Sequence, residues 1–239
     1  MDTSGFTQDA LLRGELSLWQ PARGQGYRFN LDPVLLSGFS RPRGRVLELG
    51  AGCGVLGLLL LKRGRAEQVT FVERQPALAA LCERNLKENG FADRGRVICG
   101  DLRELTLEAH EGVVFNPPYF AANSGRPSSG VGRDEARFER HGTLRDFVEV
   151  SFGVTRAGGS VDVVLRAERF AELGELAKEL GGGVVRARPV IARSGDASRH
   201  YLVELSGQAS DGVEELPPLI LHRGAEREFS DEVKELLGE

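Results

Sequence analysis

The sequence predicts an α/β fold built on a doubly wound sheet of seven mainly parallel strands. Short apolar runs alternate with helical patterns from residue 45 onwards, and glycines follow the first of these runs. Near residue 200, two further apolar segments have no helix-length insert between them. The alternation is typical of parallel strands that helices cover on both faces. The last two segments predict an antiparallel pair, and hence a C-terminal antiparallel strand.

The first half of the predicted sheet comes from four short apolar segments. We expect strands at residues 46–49, 69–73, 96–99 and 112–115, and helices at about 55–63 and 76–89. The second helix is predicted by Leu78, Leu81, Cys82 and Leu86, which share one helical face. Gly90 is suited to end it, because glycine readily adopts the left-handed conformation of a helix C-cap.

The second half begins at a helix start, where Thr143 precedes Asp146 by three residues in the spacing of a capping box. We expect strands at residues 160–165, 184–192 and 200–205, helices at 168–180 and about 230–237, and an extended segment at 219–221. These strands complete the seven.

The ends of the chain differ from its centre. Residues 1–44 lack a sustained period, except that Pro33 would begin a short helix with Asp32 as its N-cap. We therefore predict an N-terminal extension at 1–44 that closes over the functional site, a core at 45–207, and a tail at 208–239 that packs on the core.

Composition favours a cytoplasmic globular enzyme. Of 239 residues, 41% are hydrophobic and 28% are charged, which is the range of soluble globular proteins. The N-terminus lacks a signal-peptide pattern, and the longest apolar stretch, residues 55–61, is too short to span a membrane. Three cysteines without a CxxC pair and four scattered histidines predict neither disulfides nor a metal site.

A glycine-rich turn follows the first strand, in the sequence Glu48-Leu49-Gly50-Ala51-Gly52-Cys53-Gly54. Glycines let a ligand approach the backbone, and the following helix offers free N–H groups. A G-x-G-x-x-G match starts at Gly52, but counted from the strand end the third position is Val55, which argues against a dinucleotide. The turn instead resembles the S-adenosylmethionine loop of class I methyltransferases, and it implies a Rossmann-like fold with that cofactor bound at Glu48, Gly50, Ala51, Gly52 and Gly54.

Acidic residues end the next two strands. Glu73 is placed to accept the ribose hydroxyls of a nucleoside, with Arg74 beside it. Asp101 could hold an adenine amino group, with Leu102 against the ring. Because ligands of open α/β sheets bind at the carboxyl ends of the strands, these residues should share one edge.

The fourth strand delivers Asn116-Pro117-Pro118-Tyr119 to the same edge. The two prolines end the strand and fix a rigid turn. The motif resembles the signature of methyltransferases that act on planar amines. The resemblance implies that the Asn116 side chain and the Pro117 carbonyl accept both amine hydrogens, that Asn116 also borders the cofactor, and that Tyr119 stacks on a base, worth roughly 1–3 kcal/mol.

Further stretches are similar to one bacterial subgroup, the tRNA methyltransferases that modify N6 of the adenosine 3′ of the anticodon (position 37) in valine tRNA. These stretches are residues 27–36, residues 116–120, Arg140-His141, and the tail motif at residues 218–222. The resemblance implies a tRNA-binding enzyme in which Asp32 closes over the cofactor, and we also expect a monomer. It places Pro118, Phe120, Arg140 and His141 on the substrate side, although Gly142 stands where the subgroup has an acidic residue.

Other functions stay open at this point. Release-factor glutamine methyltransferases share the motif but usually carry a helical domain before the core, and ribosomal RNA guanine-N2 methyltransferases more often have phenylalanine in place of Tyr119. A cofactor-binding module without catalysis is a further alternative. Arginine-rich segments at 121–145 and 186–200 would suit phosphate groups or reflect a GC-rich genome, and the net charge of -4 argues weakly against a large nucleic-acid surface.

Overall fold

A mixed β-sheet forms the centre of the molecule. The computed structural model describes residues 5–24, 28–41, 43–117, 142–209, 212–224 and 228–239. The strands are β1 (Phe6–Leu11), β2 (Leu16–Pro21), β3 (Arg43–Leu49), β4 (Ala66–Glu73), β5 (Gly95–Cys99), β6 (His110–Phe115), β7 (Thr155–Arg166), β8 (Gly183–Ile191), β9 (Ser198–Ser206), β10 (Glu214–Glu215) and β11 (Leu219–Ile220). The helices are α1 (Asp32–Phe39), α2 (Val55–Lys62), α3 (Pro76–Glu88), α4 (Leu144–Val154), α5 (Phe170–Glu179) and α6 (Asp231–Leu237).

The strand order of the main sheet is β10-β8-β9-β7-β6-β3-β4-β5, and β11 also pairs with β8. Strands β3 to β7 are parallel, while β9 runs antiparallel to both β7 and β8. The predicted α/β fold with an antiparallel C-terminal strand is therefore confirmed. The predicted number of strands was wrong, because the described sheet has nine. The two additional strands have two residues each, too few to produce an alternating pattern.

Both faces of the sheet are buried, which explains why its strands read as continuous apolar runs. On β3, Val46 belongs to the core beneath α1, α2 and α3, whereas Leu47 and Leu49 belong to the core beneath α4 and α5. Among the described helices, none is long and apolar enough to cross a membrane.

An antiparallel hairpin, β1–β2, precedes the sheet and packs on α3. The sequence did not predict it, since β1 is partly exposed and shows no regular alternation of burial. The capping prediction at α1 was also wrong by one position. Leu31 is the N-cap, Asp32 is the first helical residue, and Pro33 follows. Proline tolerates either position because the first turn leaves its N–H groups unpaired in any case.

Two arginines of the second arginine-rich segment make contacts within the fold itself. The Arg186 Nε donates to Glu204 Oε2 at 2.7 Å, and its guanidinium lies 3.8 Å from the centre of the Phe39 ring. Arg188 donates to both carboxylate oxygens of Glu232, at 2.5 and 2.9 Å. These two arginines therefore serve packing of α1 and α6 against the sheet, which the sequence pattern alone could not distinguish from phosphate binding.

Candidate active site

The strand register brings the predicted site residues to one edge of the sheet. Leu49 of β3 pairs with Phe115 of β6 on one side and with Val72 of β4 on the other. The residues that follow, Gly50 and Asn116, therefore leave neighbouring parallel strands at the same level. The prediction that the glycine loop and the Asn116 motif share an edge agrees with this register.

The glycine loop has a backbone that requires glycine. The φ angles of Gly50, Gly52 and Gly54 are +67°, +58° and +84°, in the left-handed region. A Cβ atom on Gly54 would lie 2.5 Å from the Cys82 sulfur, and one on Gly50 would lie 3.3 Å from the Phe147 ring. A Cβ atom on Gly52 would meet no described atom within 4 Å. Gly52 therefore borders open space, on the side from which a ligand could approach the loop.

The buried Glu73 carboxylate braces this loop. Its Oε2 accepts a hydrogen bond from the Gly52 N–H at 2.8 Å, and its Oε1 accepts one from the Gln75 N–H at 2.7 Å. A carboxylate has about four acceptor positions, so two remain for other donors. Glu73 can thus fix the loop and still accept ribose hydroxyls.

Glu48 lies beneath the loop, and its Oε2 accepts a hydrogen bond from the Gly57 N–H of α2 at 2.8 Å. Burial raises the pKa of the Glu48 carboxyl to about 8, so the group carries a proton at neutral pH. Its described contact supports the helix start, and the cofactor contact expected from the sequence stays a prediction.

This raised pKa makes stability depend on pH. In the unfolded chain the Glu48 carboxyl loses its proton near pH 4.5, whereas the folded protein keeps that proton up to about pH 8. The free energy of unfolding therefore falls across this window as pH rises, by up to about 1.4 kcal/mol per pH unit. Burial also raises the pKa of Asp162 to about 6 and lowers the pKa of His110, so the contribution of Glu48 has to be read from the difference between the wild type and a Glu48 variant.

We expect Glu48→Gln to lose less stability than the wild type between about pH 6.5 and pH 8, because glutamine does not ionise in this range. The glutamine oxygen can still accept from the Gly57 N–H. Urea unfolding at the two pH values measures the difference, and equal pH dependence in both proteins would contradict the assignment.

The Asp101 carboxylate is already engaged by arginine. It accepts hydrogen bonds from Arg103 Nε at 2.9 Å and from Arg103 Nη2 at 2.6 Å, and Arg74 Nη1 lies 3.7 Å away. These Arg103 bonds lower the pKa of Asp101 to about 2. An adenine amine would therefore have to share this carboxylate with Arg103, a residue that the sequence interpretation missed although it lies only two positions away. Leu102 is buried beside this pair, in the core beneath α4.

Asn116 carries an unsatisfied acceptor. Its side-chain oxygen Oδ1 is buried and has no hydrogen-bond partner among the described residues. Leaving a buried polar atom unpaired costs about 1–3 kcal/mol, so such an atom in a folded protein calls for an explanation. Pro117 is buried directly after it, and the preceding Phe115 ring packs against Phe147 at a centroid distance of 5.3 Å. The oxygen therefore lies among packed residues, where it can accept a hydrogen bond from a ligand.

Asp32 is buried at the start of α1 and accepts a hydrogen bond from Asn30 Nδ2 at 2.6 Å. Helix α1 packs on α2, which begins directly after the glycine loop. A contact between Asp32 and the cofactor stays a prediction. The remaining predicted residues, Pro118, Tyr119, Phe120, Arg140 and His141, lie outside the described part of the chain.

A cavity of about 320 Å³ lies elsewhere, at the opposite edge of the sheet. Its lining includes Arg45, Thr70, Arg96 and His110, near the amino ends of β3, β4, β5 and β6. Residues 106–108, from the connection between β5 and β6 that forms no helix, also line it. Because none of the predicted site residues lines it, this cavity is separate from the candidate site.

Comparisons with known proteins agree with this geometry. Residues 32–129 match the Methyltransferase small domain family. The chain is 31% identical over 193 residues to the tRNA1(Val) (adenine(37)-N6)-methyltransferase of Shewanella amazonensis, an alignment that covers 77% of this chain and 79% of that protein.

Two solved structures share the fold. One is described as a predicted O-methyltransferase from Agrobacterium tumefaciens, with a TM-score of 0.66 and 23% identity over 86% of this chain and 94% of that chain. The other is TYW2 from M. jannaschii in complex with AdoMet, with a TM-score of 0.59 and 14% identity over 84% of this chain and 85% of that one.

Proposed function

The chain belongs to the family of tRNA1(Val) (adenine(37)-N6)-methyltransferases, and we propose that it transfers a methyl group from S-adenosylmethionine to the N6 amine of adenosine 37 in valine tRNA. We expect it to act as a monomer, in the cytoplasm that its composition favours. The observation that carries the chemical part of this proposal is the buried Oδ1 of Asn116, beside the glycine loop, which has no partner among the described residues. It is an acceptor that an amine can satisfy.

The residues present fit the cofactor. The left-handed glycine loop borders open space at Gly52, Glu73 keeps two acceptor positions, and Asp101 remains ionised beside Leu102. We assign the loop to the methionine part, Glu73 to the ribose and Asp101 to the adenine. When bound, S-adenosylmethionine supplies an electrophilic methyl group.

Asn116 and Pro117 would then act on the amine. The nitrogen of an aromatic amine is a poor nucleophile because its lone pair is delocalised into the ring. Two acceptors, the Asn116 Oδ1 and the Pro117 carbonyl, can hydrogen-bond both amine hydrogens and favour a pyramidal nitrogen whose lone pair is available. Pre-placed acceptors of this kind stabilise the positive charge that develops on the nitrogen during transfer, and the excess proton leaves afterwards. Positioning and electrostatics therefore account for the rate without a strong base.

A substitution in the RNA tests the substrate assignment. The protein is incubated with methyl-labelled S-adenosylmethionine and an unmodified valine tRNA transcript, or the same transcript with guanosine at position 37. We expect label as N6-methyladenosine in the first transcript only. Equal labelling of both transcripts would exclude position 37, and no labelling of either would contradict the proposed function.

A further inference from the structure

Asn85 of α3 and Asn89, the C-cap residue of that helix, pair with the outer edge of β2. Asn85 Oδ1 accepts from the Trp19 N–H at 2.7 Å, and Asn85 Nδ2 donates to the Trp19 carbonyl at 2.9 Å. Asn89 makes the same two bonds with Ser17, at 2.8 and 2.7 Å. Residues four apart lie on one helix face, and residues two apart on a strand point their backbone groups to one edge. The two side-chain amides thus take the place of a neighbouring strand.

The second donor bond distinguishes the two asparagines. Asn89 Nδ2 also donates to the Asn85 carbonyl at 2.7 Å, within the helix. Asn85 Nδ2 instead donates to the carbonyl of Cys53 at 2.9 Å, in the middle of the glycine loop. Asn85 is fully buried, so water does not compete for this bond. Of the pair, Asn85 is the one that links the hairpin to the loop.

The Cys53 carbonyl is a sensitive point of the loop. Cys53 lies between Gly52 and Gly54, which both have positive φ. The peptide group is planar, so fixing the Cys53 carbonyl also fixes the direction of the Gly54 N–H, which donates to the Ala51 carbonyl at 2.8 Å. Glu73 holds the Gly52 N–H from the other side. The loop is therefore tied at two alternate peptide groups, the one between Ala51 and Gly52 and the one between Cys53 and Gly54.

The hairpin decides which end of the Asn85 amide faces the loop. The Trp19 N–H can pair only with the amide oxygen, so the NH₂ group must be the end that serves the two carbonyls. If the amide were flipped, its oxygen would face the Cys53 carbonyl oxygen, and neither atom could donate a hydrogen bond to the other. The orientation of this one amide thus depends on β2.

We propose that Asn85 is a positioning residue for cofactor binding, which holds the glycine loop in its binding conformation while the hairpin β1–β2 fixes the direction of its amide. This inference rests on the proposed function, because it takes the ligand of the loop to be S-adenosylmethionine.

Matched variants test the proposal. In Asn85→Asp and Asn89→Asp, the new side chain keeps an oxygen that can accept from the hairpin N–H. It lacks the NH₂ group, which in the wild type donates to one hairpin carbonyl and to one other carbonyl. Calorimetry at a temperature where each variant is folded measures the S-adenosylmethionine affinity. We expect Asn85→Asp to weaken it about tenfold, which corresponds to roughly 1.4 kcal/mol or one hydrogen bond. The affinity of Asn89→Asp for S-adenosylmethionine should stay within about twofold of the wild-type value, a smaller change than the loss of one hydrogen bond causes.

Wild-type affinity in Asn85→Asp, or equal weakening in both variants, would overturn the proposal. Because the aspartate adds a buried charge, Asn85→Ala and Asn89→Ala repeat the comparison with neutral side chains, with the same expected difference. The wild-type titration separates this inference from the proposed function. A wild type that does not bind S-adenosylmethionine contradicts the function itself, whereas a binding wild type with indistinguishable Asn85 and Asn89 variants contradicts only the role of Asn85.

Discussion

Replacing Asn116 with alanine should slow methyl transfer to valine tRNA by about 10²–10³-fold, the usual loss when one pre-placed polar contact to the reacting group is removed. The affinity for S-adenosylmethionine should remain within about threefold, less than the value of one hydrogen bond. The reason is the position of the Oδ1 atom, which is buried after the end of β6 and has no partner in the described part of the chain. Single-turnover rates with saturating cofactor measure the transfer step directly.

The stability of the Asn116→Ala variant provides a second test of this prediction. Because the Asn116 oxygen has no described partner, removing it relieves the cost of an unpaired buried group, and the alanine variant should be at least as stable as the wild type in urea. Asn116→Asp, which keeps acceptor oxygens at the same place, should retain more activity than Asn116→Ala. An alanine variant that transfers methyl groups at the wild-type rate would refute the proposed mechanism.

Substituting alanine for Gly52 should abolish most cofactor binding while the protein stays folded. Its φ of +58° costs a non-glycine residue about 1–2 kcal/mol, but the new methyl group would meet no described atom within 4 Å. In the folded protein the methyl group would instead stand where the ligand approaches the loop. We expect the affinity for S-adenosylmethionine to fall at least about tenfold beyond the effect on folding, since one misplaced contact in a tight site costs over 1.4 kcal/mol.

Gly64 supplies the control. It has a φ of +66° and equally open surroundings among the described residues, but it follows α2 at the end remote from the loop. Gly64→Ala should lose the same stability in urea and bind S-adenosylmethionine as the wild type does. If both variants bind equally well, the open space at Gly52 is not the cofactor side of the loop.

The sequence predicted the parts of the site that depend on strand ends. Gly50, Glu73 and Asn116 each follow or end an apolar run, and in a parallel sheet that position alone brings them to one edge. The same logic found all seven main strands. Local patterns were sufficient for these features because the central strands β3, β6 and β7 are buried on both faces.

The contacts between side chains could not be predicted in the same way. The engagement of Asp101 by Arg103 depends on the turn after β5, and the bonds of Asn85 depend on a hairpin whose first strand, β1, shows no clear alternation. Arg186 reads as a surface cation in the sequence but is buried against Glu204, which comes from the neighbouring strand. The Asn85 and Arg186 pairings join residues distant in sequence and are set by the completed fold, whereas the Asp101–Arg103 pair is local and depends on the geometry of its turn.

The order of strands also bears on how the protein folds. Strand β3 pairs with β4 and β6, and its Leu47 lies beside Val113, far along the chain. Pairings between distant segments close large loops at an entropic cost and slow folding, whereas the β1–β2 and β8–β9 pairs are local and can form early. Gly50 and Asn116 meet only after β3 and β6 have joined. A ligand that binds only the folded chain stabilises it, so S-adenosylmethionine at 100 times its dissociation constant should raise the free energy of unfolding by about 2.7 kcal/mol.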